Sequence, residues 1–160
     1  MNEDYVKFDK LKRRDRLDLF EAAADRLGAN AQAMEKDLWV CRVIDALFKG
    51  LGSRPKLFFK GGTSLSKGYG LIKRFSEDID IVISRGGLGI KAADDPLNPN
   101  LSKKKREEKA EAATEKCSAH VLGRMRERLQ DLLPDCTIEV DDDDADRMSL
   151  RFTYPVFAES

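Results

Sequence analysis

The sequence predicts an α+β domain in which helices flank a mixed sheet. Apolar residues recur at helical spacing over residues 11–48 and again over 102–133. Between and after these stretches the pattern shifts to short runs of β-branched and aromatic residues, read as strands at 57–59, 78–84, 136–140 and 149–154. Some of those runs are joined through a helix and others through a tight turn, which places helices on a sheet with mixed connections.

Each element has its own local signal. Leu11, Leu17, Phe20, Ala24 and Leu27 lie at roughly helical spacing, and Gly28 follows as the stop. Asn30 is placed to cap a second helix carrying Met34, Leu38, Cys41, Ile44, Leu47 and Phe48, with Trp39 and Val40 beside that stripe and Gly50 and Gly52 at its end. Together they predict a helical hairpin over 9–49. Leu57-Phe58-Phe59 after Pro55 reads as a strand, broken by Gly61-Gly62, and Thr63 to Gly70 as a short helix. Asp78 to Ser84 alternates as a second strand, and the glycines and prolines of 85–102 mark a loop. Ser102 opens a long helix over 102–133, with Ala110, Ala113, Cys117, Val121, Met125, Leu129 and Leu132 as its buried face. A hairpin over 136–154 then turns through Asp141 to Asp146.

The 160 residues suit one domain. Hydrophobic residues make up 41% and charged residues 36%, enough for a core beneath a very polar surface. Lys and Arg total 29, as do Asp and Glu, so any nucleic-acid contact must come from a local patch rather than a basic chain. Cys41, Cys117 and Cys136 are widely spaced and His120 is the sole histidine, which argues against a disulfide scaffold and a zinc site. Scattered thiols, no apolar leader and no run of the ~20 apolar residues a membrane span needs predict a cytoplasmic protein with no membrane partner.

Three features coincide over residues 57–84. Asp78 and Asp80 are two apart in a strand, so both point to one face while Ile79, Ile81 and Ile83 point to the other. Two carboxylates on one face repel, which is sensible where a divalent cation sits between them; Mg²⁺ often takes one or two carboxylates together with substrate phosphates. The same pattern also describes an exposed edge strand with solvated aspartates. Gly61-Gly62 stands at a strand-to-helix junction, followed by the hydroxyls of Thr63, Ser64 and Ser66. Glycines admit a ligand close to the backbone, and a helix start attracts phosphate; a plain tight turn is the other reading. Arg54, Lys56, Lys60, Lys67, Lys73 and Arg74 fall within 54–74 without an acid among them, which suits a triphosphate or a solvated basic face. The Walker pattern is absent, because Lys67 lacks its preceding glycine.

Lys60-Gly61-Gly62-Thr63-Ser64-Leu65-Ser66-Lys67 followed by Arg74-Phe75-Ser76-Glu77-Asp78-Ile79-Asp80-Ile81 resembles the signature of the AbiEii/AbiGii toxin family, nucleotidyltransferases of the DNA polymerase β superfamily. Glu35-Lys36-Asp37-Leu38-Trp39-Val40 and Phe152-Thr153-Tyr154-Pro155 also resemble it. The resemblance implies a nucleotidyltransferase-like fold over 1–160, with Mg²⁺ or Mn²⁺ on Asp78 and Asp80. It also implies an NTP held by Gly61, Gly62 and a following hydroxyl. Lys60, Lys67 and Arg74 are the cations expected to offset phosphate charge. An RNA acceptor, tRNA among the candidates, and an antitoxin protein encoded nearby follow by analogy alone. The superfamily uses a third carboxylate on a later strand, expected here after Phe-Thr-Tyr-Pro. The sequence therefore reads as the N-terminal, metal-binding half of a longer protein, truncated at its C-terminus, with Glu139 as the best stand-in within it; lacking that carboxylate, this stretch alone is expected to bind nucleotide but transfer it poorly or not at all. A non-catalytic nucleotide- or protein-binding module that retains the fold is the alternative, and a glycosyltransferase using Asp-x-Asp lacks support from the glycine loop's position.

Two charged runs lie outside that segment. Glu139, Asp141, Asp142, Asp143, Asp144 and Asp146 lack the glycine and spacing of a Ca²⁺ loop and read as a solvated hairpin turn. Lys103, Lys104, Lys105, Arg106 and Lys109 open the long helix against its dipole, which leaves RNA phosphate binding and a solvated face both open. His120 reads as a surface or boundary residue and Trp39 as core.

Overall fold

The computed structural model describes residues 2–63 and 78–158. It is an α+β protein whose chain divides into two compact units. Residues 1–50, 59–81 and 154–160 make the first, and residues 51–58 and 82–153 the second.

The first unit is built on helices. α1 spans Glu3–Asp9, α2 Arg13–Leu27 and α3 Ala31–Asp45, the last running into a wide π turn at Ala46–Gly50. The local signals act as expected. Gly28 closes α2 in the left-handed region at φ 65°, where a side chain would be strained. The Asn30 carboxamide accepts from the Ala33 amide at 2.7 Å and starts α3. Phe20 and Ala24 of α2 meet Met34 of α3 in a buried cluster edged by Phe8, Leu38 and Phe157. Leu27 lies outside it, 69% exposed.

The sequence gives no expectation of α1, which buries no residue of its own. It is held by Phe8, whose ring meets Phe20 at 5.5 Å, and by Asp9, which accepts two hydrogen bonds from the buried Arg42 guanidinium at 2.8 and 2.6 Å. α3 is also buried more widely than a single stripe. Trp39, Val40, Val43 and Ala46 are enclosed, as are the charged Glu35, Arg42 and Asp45. A helix covered on more than one side buries residues beside its apolar stripe as well as within it.

Strands β1 (Leu57–Lys60) and β2 (Asp80–Ile83) pair, and among the described residues they form a two-stranded sheet. The Ser84 amide donates to the Lys56 carbonyl at 2.9 Å just past the ends of the strands. β2 begins two residues later than its alternation suggested. Between the strands a helical turn, α4, occupies Gly61–Thr63. The remainder of the short helix expected to Gly70 lies outside the described residues.

In the second unit the 85–102 segment holds two 3₁₀ turns, Arg85–Leu88 and Ala92–Asp94. Ser102 caps α5 (Lys103–His120) by accepting from the Lys105 amide. The long helix expected to 133 is not continuous. A π turn at Val121–Met125, with Gly123 at φ −94° and ψ −107°, separates α5 from α6 (Arg126–Leu132). The break shifts the buried face: Val121, Met125, Leu129 and Leu133 are enclosed, while Ala110 is exposed and Leu132 only half-buried.

β3 (Thr137–Val140) and β4 (Leu150–Thr153) pair antiparallel, Glu139 opposite Arg151. Gln130 of α6 clamps this hairpin, donating to the Cys136 carbonyl at 2.7 Å and accepting from the Ile138 amide at 3.3 Å. The acidic turn is organised by Asp144, whose carboxylate accepts from the Met148 amide, the Asp146 amide and the Ser149 hydroxyl. Those bonds, led by that from Ser149, hold its carboxyl below the usual range. The run is thus a hydrogen-bonded turn, as its composition suggested.

Candidate active site

The glycine turn and the Asp-x-Asp pair meet within the first unit. Along residues 78–83 exposure alternates: Asp78, Asp80 and Val82 are exposed, while Ile79, Ile81 and Ile83 are half-buried. The two carboxylates therefore leave one side of the segment and the isoleucines the other, as the period of two requires. Lys60, at the end of β1, is exposed too.

Gly61 follows at φ 75°, a left-handed backbone that disfavours any residue with a Cβ. A Cβ placed there would lie 2.0 Å from Oδ2 and 2.9 Å from Cγ of Asp80. The Asp80 carboxylate thus occupies the space that a side chain at 61 would take, directly on the backbone where the helical turn begins. Gly62 is half-buried in that turn, which ends at Thr63. Ser64, Lys67 and Arg74 lie outside the described residues.

This arrangement fits a hard divalent cation. Its donors are carboxylate oxygens on one exposed face, and the missing Cβ of Gly61 lets the Asp80 carboxylate lie against the backbone. Among the described residues no group of three or more His, Cys, Asp or Glu side chains gathers as a metal cage. A cation on these carboxylates could take further oxygens from its substrate, which is how Mg²⁺ commonly binds beside phosphates. Glu139, the stand-in carboxylate, belongs to the second unit and is exposed on β3.

A family model described as nucleotidyl transferase AbiEii toxin, type IV TA system, matches residues 42–157. The chain belongs to this AbiEii family. The match takes in the glycine turn, Asp78 and Asp80, and the β3–β4 hairpin. No curated protein and no solved structure matches the chain. Among the described residues of this AbiEii chain, no helix is long and apolar enough to cross a membrane.

Two further stretches that resemble the family meet in space. The Trp39 indole stacks on the Tyr154 ring at 5.3 Å and 19°. The buried Glu35 carboxylate accepts from the Phe157 amide at 2.8 Å and the Ala158 amide at 2.9 Å. Beside them the Arg42 guanidinium lies over Trp39 at 4.7 Å and over Tyr5 at 5.4 Å. Burial, then the charges of Cys41 and Asp45, push the Tyr5 hydroxyl's pKa up. The sequence reading assigned Glu35, Arg42 and Asp45 no role. Their signal is three charges at spacings of seven and three, which place them on the side of α3 that carries Leu38, so that ionic groups interrupt an apolar stripe.

Proposed function

We propose that this AbiEii-family protein transfers a nucleoside monophosphate from an NTP to an RNA acceptor, tRNA included, in a reaction that depends on Mg²⁺ or Mn²⁺. The observation that carries the reading is the Asp80 carboxylate seated against Gly61, with Asp78 on the same exposed side. In this reading Asp78 and Asp80 hold the metal. Gly61 and Gly62 present backbone to the phosphates, with Thr63 and Ser64 supplying hydroxyls and Lys60, Lys67 and Arg74 offsetting charge. A metal held there supplies positive charge near the phosphate at which substitution occurs. The acceptor oxygen forms a bond to the α-phosphorus, the bond to the pyrophosphate oxygen breaks, and the acceptor proton passes to a base or to water. Asp78 and Asp80 act before that step, fixing the geometry in which the reacting atoms meet.

The setting is a type IV toxin–antitoxin system, as the family's description supports; the cytoplasm and an antitoxin protein as partner are part of the proposal. Calorimetry tests the site directly. Wild-type chain should bind NTP more tightly with Mg²⁺ than without it, and Asp78→Asn with Asp80→Asn should abolish that difference. Unchanged Mg²⁺-dependent affinity in the double variant would remove the metal role. Incorporation of labelled NTP into a total RNA pool tests transfer; binding without incorporation would favour a nucleotide-binding module that keeps the fold.

A further inference from the structure

α5 is an eighteen-residue helix with no buried residue, and three of its lysines line one side. At ~100° per residue, Lys105, Lys109 and Lys116 fall within roughly a 40° arc. Glu107, Glu108, Glu111 and Glu115 fall within another arc of roughly 100°, together with Lys104, and there Glu107 meets Lys103. The basic flank borders the Ala92–Asp94 turn, since the Lys109 ammonium donates to Asp94 at 2.7 Å. The charges of Lys109, Lys116 and Lys91 all act on Asp94. The hydrogen bond from Lys109 holds its carboxyl low first, and the charges of Lys116 and Lys91 add to that. Lys91, Lys105 and Lys116 are exposed, and among the described residues none has a carboxylate within ion-pair distance.

The chain as a whole carries formal net charge zero, so this patch arises from placement rather than composition. Its N-terminal lysines also oppose the helix dipole, a local cost with no offsetting contact at Lys105. The geometry points to the flank of Lys105, Lys109 and Lys116, extended by Lys91, as the surface that receives the phosphate backbone of an RNA acceptor. The inference rests on the nucleotidyltransferase reading and deepens it by naming where the acceptor lies. From Lys105 to Lys116 the track is about 16 Å long. Ala112 and Ala113 lie beside it between Lys109 and Lys116, so along that stretch contact is to phosphate without sequence preference. α5 itself exposes no large apolar side chain, which disfavours a bilayer, since an interfacial helix enters one through such residues.

Fluorescence anisotropy with a labelled mixed-sequence RNA of about twenty nucleotides, titrated against NaCl without nucleotide, tests the surface. Each lost phosphate contact lowers the slope of log K against log salt by about 0.7 for a single strand. Lys91→Gln, Lys105→Gln and Lys116→Gln together should flatten it by about 2, which is roughly 100-fold weaker binding at about 0.1 M salt. Glu108→Gln with Glu111→Gln, on the other flank, should leave binding unchanged or tighten it. An unchanged slope in the lysine variant overturns the inference. So does lysine-dependent binding to phosphatidylserine–phosphatidylcholine vesicles that matches or exceeds binding to RNA. Calorimetry with Mg²⁺ and NTP on the same proteins separates the two readings. Nucleotide binding with an unaltered RNA slope removes the surface alone, and a lysine-dependent RNA slope with no nucleotide binding by wild type removes the transferase reading alone.

Discussion

Replacing Gly61 by alanine separates the stability of the turn from the placement of the carboxylate. Two effects follow from one methyl group. The first is conformational: φ at 61 is 75°, and a left-handed backbone costs a residue with a Cβ roughly 1–2 kcal/mol. For a chain of this size that lowers Tm by roughly 2–8 °C. The second is steric. The new Cβ would lie 2.0 Å from Asp80 Oδ2, so the carboxylate must retreat by about 1.4 Å to reach ordinary contact at 3.4 Å. Asp80 is exposed and its side chain can swing outward, so this retreat adds little to the stability loss. It moves a metal ligand, however, and a misplacement of about 1 Å can cost 10²-fold in a reaction that depends on position. Gly61→Ala should therefore melt only slightly earlier yet transfer nucleotide about 100-fold more slowly, close to Asp80→Asn. Thermal melts and label incorporation, run on both variants and on the double variant, read the two effects apart. Once Asp80 has been replaced, adding alanine at 61 should cost stability but no further activity. Wild-type turnover by Gly61→Ala, or full additivity of the two losses, would refute the contact as the reason for glycine.

Three other outcomes are expected. Asp9→Ala strands the buried Arg42 guanidinium, whose Nε already lacks a hydrogen-bond partner among the described residues; because the Asp9 side chain is 32% exposed, urea titration should show a loss of about 2 kcal/mol rather than the 3–5 of a fully buried pair. A variant within 0.5 kcal/mol of wild type, to a rough threshold, would show that the Asp9 carboxylate does not hold α1. Glu35→Ala leaves the Phe157 and Ala158 amides without their acceptor, and the same titration should show a loss of roughly 1–3 kcal/mol, with Glu35→Gln between it and wild type. The third concerns His120, whose pKa is lowered by burial first and then by Arg124. The unfolded chain therefore binds the proton more readily, and the neutral ring's share of stability is complete above about pH 6.5 and is lost as pH falls below it. His120→Gln should flatten that part of the Tm profile, and an equal decline in wild type and variant would remove His120 as its source.

What was legible in the sequence is what short segments decide for themselves. Asn30 and Ser102 cap helices and Gly28 ends one because each acts on backbone within three or four residues. The shared side of Asp78 and Asp80 follows from strand parity alone, and the family resemblance was legible because its central motif is contiguous. α1 escaped notice because its anchor, Arg42, lies thirty-three residues from Asp9 in the chain. Glu35 reaches amides more than a hundred residues away. No local pattern encodes such partners, although charges set into the stripe of α3 announce that partners exist. The break at Gly123 did have a local cue, a glycine inside an apolar helical repeat, and the repeat continued convincingly enough past it to hide the shift of face. The contact between Gly61 and Asp80 needed coordinates, because strand parity gives a side and not a neighbour.

The π turn at Gly123 also sets a boundary in time. Leu129, beyond the turn, is 1% exposed on the helix whose Gln130 holds the β3–β4 hairpin, whereas α5 before it has no buried residue. Amides of α6 can exchange with solvent only when this core opens, while those of α5 can exchange through opening of the helix itself. Exchange measured residue by residue should therefore step up in protection near Gly123. A helix that opens at little cost can also be firmed by whatever settles on its side, so the protection of α5, more than its position, would report an occupant.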